Sequence, residues 1–385
     1  MKVLHTSDLH FGSTLNDLSR LEEHERFLDW LEGKIEEWDI DVLLLSGDIY
    51  DSSNPSSAAR RLFFRLLHNL RQGARPRRVI VIGGNHDSPA VLNAPAPYLR
   101  LDGITVIGRA SGDPAREVVP VTDRDGAVRL IVCAVPYLRE SDLPRSAFGD
   151  DPTGAGRELA AGVLAHYAAV REAALEVERT LPAPVPLAAM GHLFARGVSV
   201  DAKDLDGEGP MVGSLGGVDA GPLAGAFDYT ALGHIHAPQR VAGSEFARYS
   251  GSPLVMDFGE RRHEKQVLLV TFEDDAAAEP SPASGWRGRV SVEAVPVPAF
   301  RRLVRVTGED FKKMRKEVAA LAKAEAQTPA DLPTWVLADY KGPTPPPADW
   351  REQLSDAAVP KGGTEPAFVF AIMRDSSPRS LSIMH

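Results

Sequence analysis

Five short apolar runs, scattered over more than 230 positions of this 385-residue chain, each break off into residues able to ligate a cation. They cover residues 3–7, 41–45, 79–82, 187–190 and 229–232. In chain order they end in Ser7-Asp8-Leu9-His10, Ser46-Gly47-Asp48, Gly83-Gly84-Asn85-His86-Asp87, Met190-Gly191-His192 and Leu232-Gly233-His234-Ile235-His236. Runs of four or five residues rich in Val, Leu and Ile, bounded by Gly and Asp, read as buried strands. Helical patterns over 18–37 and 57–70 separate the first three, which is an α/β rhythm. In sheets of that kind functional residues collect where the strands end.

Each motif alone has a plainer explanation. Asp8 with His10 could be a capping carboxylate beside a surface imidazole, Asp48 a helix N-cap, and a lone His at a strand end a structural side chain. Five successive strand ends of one chemical character are a different matter. The spacing of Asp8 and His10, and again of His234 and His236, is i, i+2, which in extended backbone puts both side chains on one side.

Together the motifs supply two carboxylates, an amide oxygen and four imidazoles: Asp8, His10, Asp48, Asn85, His192, His234 and His236. Mixed oxygen and nitrogen donors without thiolate suit Mn, Fe or Zn better than Ca or a purely Mg site. A pair of divalent ions needs a bridging carboxylate, and Asp48 is placed for it. Such a pair makes hydroxide available near neutral pH and stabilises the attacking and leaving oxygens of a displacement at phosphorus. His86 follows Asn85 directly. It is free to protonate the departing oxygen as a general acid, or else it orients Asp48 from behind.

The remaining sequence frames this constellation. Hydrophobic residues make up 43% and charged residues 25%, which supports a core, and the net charge of -10 excludes a chain that binds nucleic acid by overall charge. Local basic stretches are Arg60 to Arg78, with Arg60, Arg61 and Arg65, and Arg301 to Lys316, with Arg301 and Arg302. These are candidate DNA contacts or solvated helix faces. Leu62, Leu66, Leu67 and Leu70 form a stripe that suits either the core or a homodimer interface. Cys133, the single cysteine, lies in an apolar run and reads as a buried strand residue. With no signal-peptide pattern and no membrane span, a cytoplasmic protein is expected. The acidic, Ala/Pro/Ser-rich stretch between Glu273 and Gly285 marks a linker, placed at 276–286, between a catalytic domain at 1–275 and a small α+β module at 287–375, with a tail at 376–385.

The five motifs in this order resemble the signature of the calcineurin-like metallophosphoesterases, over residues 1 to about 260. Flanking segments narrow the resemblance to the SbcD nucleases: His5 to Gly12, Glu23 to Leu31, Gly47 to Asp51 with Asn54-Pro55, Gly84 to Pro89, Ala231 to Gln239, and Tyr249-Ser250-Gly251-Ser252-Pro253. The resemblance implies a four-layer α/β/β/α sandwich with a smaller C-terminal α+β capping domain. It implies two divalent ions, preferably Mn, and exonuclease and endonuclease activity on DNA ends and hairpins in repair, recombination and replication. An SbcC-type coiled-coil ATPase is the implied partner, consistent with the lack of a phosphate-binding G-x-x-x-x-G-K-[ST] loop in this chain. Metal binding falls on the seven residues above and proton donation on His86. The alternatives are a phosphoesterase acting on a small phosphodiester or nucleotide, and a scaffold that keeps the fold without the chemistry.

Overall fold

A computed structural model describes residues 1–73, 77–143, 155–195, 217–328 and 331–377. The chain begins with β1 (Lys2–Thr6), a small hairpin of β2 (Thr14–Leu15) and β3 (Leu18–Ser19), α1 (Leu21–Glu37), β4 (Val42–Ser46), α2 (Ser57–Gln72) and β5 (Arg78–Ile82). There follow α3 (Pro89–Asn93), α4 (Ala96–Leu101), β6 (Ile104–Ile107), β7 (Val118–Thr122), β8 (Val128–Ala134), α5 (Ala155–Glu178) and β9 (Leu187–His192). Next come α6 (Gly221–Ala226), β10 (Tyr229–Gly233), β11 (Gln239–Val241), β12 (Ser244–Tyr249), β13 (Gln266–Asp274) and β14 (Gly288–Pro296). The last elements are β15 (Leu303–Gly308), α7 (Phe311–Gln327), β16 (Trp335–Tyr340), α8 (Trp350–Ala357) and β17 (Val369–Asp375).

Two six-stranded mixed sheets carry the first unit, in the orders β14-β13-β1-β4-β5-β6 and β11-β12-β10-β9-β8-β7. The strands that end in the candidate ligands are parallel within each sheet: β1 beside β4, β4 beside β5, and β9 beside β10. Their carboxyl ends therefore lie on one edge of each sheet. Alternation decides the packing. Val42 and Leu44 of the first sheet meet Leu130, Val132, Ala188 and Ala231 of the second in one apolar layer. The intervening Ile131, Cys133, Leu187 and Ala189 face α5, which contributes Val163, Tyr167 and Val170. On the first sheet the other alternating set, Leu43, Leu45, Val79 and Val81, is fully buried, as are Phe27, Leu28 and Leu31 of α1. At about 1.5–3 kcal/mol per buried aliphatic or aromatic side chain, such layers dominate the stability of the unit. This is the α/β/β/α layering of the expected fold.

The boundary expected at 276–286 is corrected. That segment joins β13 to β14, neighbouring antiparallel strands paired from Gln266–Pro296 to Asp274–Gly288. Its composition suits a hairpin connection as well as a linker. The first unit comprises Met1–Ser13, Phe27–Leu254 and Glu264–Val297. The second comprises Thr14–Arg26, Val255–His263 and Pro298–His385. In the second unit the parallel sheet β15-β16-β17 buries Val336 and Ala338 against α7 and α8, while Trp335 and Leu337 pack with Leu15 and Phe258. From residue 378 on, the expected tail lies outside the described residues.

Candidate metal centre

Asp8 and His10 do not converge by strand alternation. β1 ends at Thr6, and both residues adopt left-handed backbone, with φ of 54° and 44°. Asp48 (φ 49°) and His234 (φ 102°) share this feature. Asp and His are among the side chains that visit positive φ most readily, yet each such residue costs on the order of 1–3 kcal/mol, so the surrounding structure must enforce it. It does so by main-chain bonding. Asp8 N–H donates to Gly47 O at 3.0 Å, His10 N–H to Asp48 O at 3.0 Å and Phe11 N–H to Ile49 O at 2.9 Å, which lays the loop after β1 along the loop after β4.

Two glycines allow the close approach. A Cβ on Gly47 (φ 88°) would lie 2.2 Å from His192 Nδ1, and one on Gly84 would lie 2.0 Å from Asp48 Oδ1. Asp87, fully buried beside them, accepts from Ile49 N–H at 3.1 Å, Tyr50 N–H at 3.0 Å and Gly84 N–H at 2.9 Å, and so ties the loops after β4 and β5 together. Burial and the neighbouring Asp48 push its carboxyl up to about 6, against those three donors. Its place in the third motif is visible in the sequence, but its role as a tie between loops is not.

The seven predicted ligands meet. Asp8, His10 and His236 offer donor atoms that all lie within 4.8 Å of one another, and so do Asp48, His192 and His234. His10 Nε2 lies 3.2 Å from His236 Nε2, and Asp48 Oδ2 lies 3.7 Å from His10 Nε2 and 3.2 Å from His192 Nε2. Asp48 thus stands between the two groups. Asn85 Oδ1 is 2.9 Å from His192 Nε2 and 3.1 Å from His234 Nδ1, which places the amide in the second group.

The donor set fits divalent cations. His192 Nδ1 must carry a proton to bond Ser46 O at 2.9 Å, which leaves the Nε2 lone pair of the neutral ring directed at Asp48 and Asn85. His10 Nε2 and His236 Nε2 face each other at 3.2 Å, where one ring N–H can bond the other ring or both lone pairs can turn to a shared cation. The electrostatics agree. Burial raises the Asp48 carboxyl, but His192, His10 and His86 outweigh it and hold it well below the usual carboxylate range. Burial resists charge on His192, yet Asp48 and Asp8 push its imidazole up to about 9. Burial raises Asp8, and Asp48 adds to that.

His86 sits at the rim of the same cluster. Its backbone N–H donates to Asp48 Oδ1 at 3.0 Å, and its Nδ1 lies 3.1 Å from Asp51 O. Its ring centroid is 5.0 Å from that of His10. The main chain at His86 therefore orients Asp48, independently of the side chain.

The arginines divide. Arg60 and Arg61 are exposed on α2, while Arg65 pairs with Asp29 at 2.5 Å. Arg302 is largely exposed but bonded to Glu325 at 2.6 Å. Arg301 is corrected as a DNA contact. Its guanidinium is buried, paired with Glu23 at 3.1 Å and Glu22 at 3.2 Å, and stacked 4.2 Å over Trp335. The stripe Leu62, Leu66, Leu67 and Leu70 is buried in the chain's own core, so it does not supply a dimer face.

Comparison with known proteins narrows the chemistry. The calcineurin-like phosphoesterase family model matches residues 1–133. The SbcD component of the SbcCD nuclease from Rhodobacter capsulatus is 34% identical over 293 residues, covering 72% of this chain and 68% of that protein. This chain belongs to the SbcD family. The Bacillus subtilis SbcD protein is 32% identical over 74% of the chain and 68% of its own length, and that of Escherichia coli K12 is 35% identical over 71% of the chain and 66% of its own length. The match thus spans about two thirds of these relatives. Among the described residues, no helix of this SbcD family member is long and apolar enough to cross a membrane.

Proposed function

We propose that this chain is a nuclease that hydrolyses DNA phosphodiester bonds at a pair of Mn ions. It works with an SbcC-type coiled-coil ATPase on DNA ends and hairpins in repair and recombination. A homodimer is part of the same reading. The observation that carries it is Asp48, whose carboxylate stands between two groups of buried oxygen and nitrogen donors in a chain of the SbcD family.

Asp8, His10 and His236 would hold one ion, and His192, His234 and Asn85 the other, with Asp48 facing both. When bound, the ions supply a low-pKa water and positive charge for the phosphoryl oxygens. The chain's own residues do the rest. Asp51 O accepts the Nδ1 proton of His86, so Nε2 is the nitrogen that exchanges protons. As an oxygen–phosphorus bond forms on one side and the phosphorus–oxygen bond to the leaving nucleotide breaks on the other, protonated His86 gives its Nε2 proton to the departing oxygen. Burial of Asp8, His10, Asp48 and His192 keeps bulk water from screening these charges. Arg60 and Arg61, exposed on α2, are assigned to the DNA backbone.

The test uses purified protein with Mn on blunt duplex DNA and on a cyclic nucleotide, beside an Asp48→Asn control. Nucleotide release from the duplex well above the control supports the nuclease reading. Turnover confined to the cyclic nucleotide would replace it with a small-phosphodiester enzyme.

A further inference from the structure

The Tyr-Ser-Gly-Ser-Pro segment at 249–253 takes no part in the chemistry described so far, yet its polar groups are buried and end on the ligands. Ser250 and Ser252 are fully buried, and Lys265 nearly so. Ser250 Oγ lies 2.8 Å from Ser7 Oγ, which donates in turn to Asp8 Oδ2 at 2.5 Å. The Ser7 proton points to the Asp8 carboxylate, so Ser250 is the donor in its contact with Ser7, with Gly251 O at 3.3 Å as a second, more distant acceptor of the same proton. The chain of bonds has one direction, and it turns one edge of the Asp8 carboxylate. The other oxygen accepts from His234 N–H at 2.9 Å.

The same turn grips His236 from its main chain. The His236 carbonyl accepts from Ser252 N–H at 3.2 Å and from the Lys265 ammonium at 3.1 Å. Lys265 also donates to Ser252 Oγ at 3.0 Å, and that hydroxyl donates to Leu254 O at 2.9 Å. Gly251, at φ 76°, passes so close that a Cβ there would lie 2.7 Å from His236 O and 2.8 Å from the Pro238 ring. Only glycine permits this approach. Asp48 and His192 are oriented by other groups, the His86 amide and the Ser46 carbonyl.

Resting on the two-ion reading above, we propose that Ser7, Ser250, Ser252 and Lys265 are positioning residues for one cation position only, the one formed by Asp8, His10 and His236. They orient two of its three ligands and leave the Asp48–His192–His234 position to main-chain support. Groups behind a metal ligand typically change metal affinity by about 10–100-fold when removed. Here that loss falls on one ion of the pair.

The test is Mn binding to the full chain by titration calorimetry, with metal analysis after desalting. Ser250→Ala and Lys265→Met are compared with the unaltered protein, and Ser250→Thr serves as the hydroxyl-retaining control. Each of the first two is expected to weaken one class of Mn site about 10–100-fold and leave the other unchanged. Metal content should fall toward one ion per chain, and Mn magnetic resonance should change from a coupled pair to an isolated ion. Ser250→Thr should retain both. Equal weakening of both classes, or of neither, overturns the proposal. Should Lys265→Met fail to fold, Ser250→Ala and Ser252→Ala, each lacking a single oxygen, decide it. Fewer than two Mn in the unaltered chain would overturn the two-ion reading itself, whereas two Mn without DNA cleavage would remove only the nuclease assignment.

Discussion

Asp8 and His236 are oriented by two serine hydroxyls and a lysine ammonium in addition to the backbone amides of His234 and Ser252, whereas Asp48 and His192 are oriented by a backbone amide and a backbone carbonyl. Besides the adjacent Ser7, the first group depends on the Ser250 and Lys265 side chains, more than 240 positions from Asp8, and the second on residues next to the ligands or in the facing loop. Side-chain support can be removed one oxygen at a time, while main-chain support survives nearly any substitution. The two halves of one centre therefore differ in how readily sequence change uncouples them.

Asp48 is where the comparison breaks down, because it faces both halves. Asp48→Asn should lower Mn-dependent DNA cleavage by about a thousandfold, with both ions bound more weakly. Retention of a tenth of the rate, measured on duplex DNA, would remove it from between the groups.

A pH effect should come from the second half. In metal-free protein the His192 pKa stands near 9, above the 6.5 of an unfolded imidazole. The stability this gives is fully present below pH 6.5 and is lost as pH rises through about 9, amounting to at most about 3 kcal/mol. Thermal unfolding in chelator should show a Tm that falls across that window, and His192→Asn should flatten it. An unchanged slope in the variant would trace the effect to another group.

His86→Ala separates chemistry from binding. Cleavage should drop by about a hundredfold while Mn stoichiometry stays at its unaltered value, because the amide that holds Asp48 remains. Loss of an ion together with activity would make His86 a support rather than an acid. The smallest effect is expected from Tyr249→Phe. The Tyr249 hydroxyl donates to Leu193 O at 2.6 Å and accepts from Ala195 N–H at 3.0 Å, just past His192. Its removal should cost about 1–2 kcal/mol in denaturant unfolding and leave the Asp48–His192–His234 class of Mn site unchanged, because main-chain groups hold Asp48 and His192. Weakening of that class would erase the distinction between the halves.

Much of the centre was legible because ligand chemistry resides in residue type. Asp, Asn and His at five successive strand ends are visible without coordinates, and the strands themselves follow from short aliphatic runs. The reason for their convergence was not. Alternation was the natural reading of Asp8 and His10, but the chain leaves β1 two residues earlier and enters left-handed backbone, a choice enforced by the 47–49 loop far along the sequence. The supports at Ser250, Ser252 and Lys265 were hidden for the same reason. Nothing local to a serine shows that it will stand 2.8 Å from Ser7. Arg301 looked like a DNA contact because basic clusters usually face solvent, and only folding shows Glu22, Glu23 and Trp335 around it. The 276–286 stretch looked like a linker because hairpin connections and linkers share a composition, and the register of β13 with β14 is set over distance.

The ligands come from both sheets: Asp8, His10, Asp48 and Asn85 follow strands of the first, while His192, His234 and His236 belong to the second. Bound cations would thus rivet two stacked layers across their seam. Prising the layers apart would first require the rivets to leave, so the inactivation half-life on heating should follow free-metal concentration. At a hundredfold excess over Kd, each bound ion would add about 2.7 kcal/mol against opening. A chelator would act on this protein as a reducing agent acts on a disulfide, taking out a cross-link while every covalent bond stays in place.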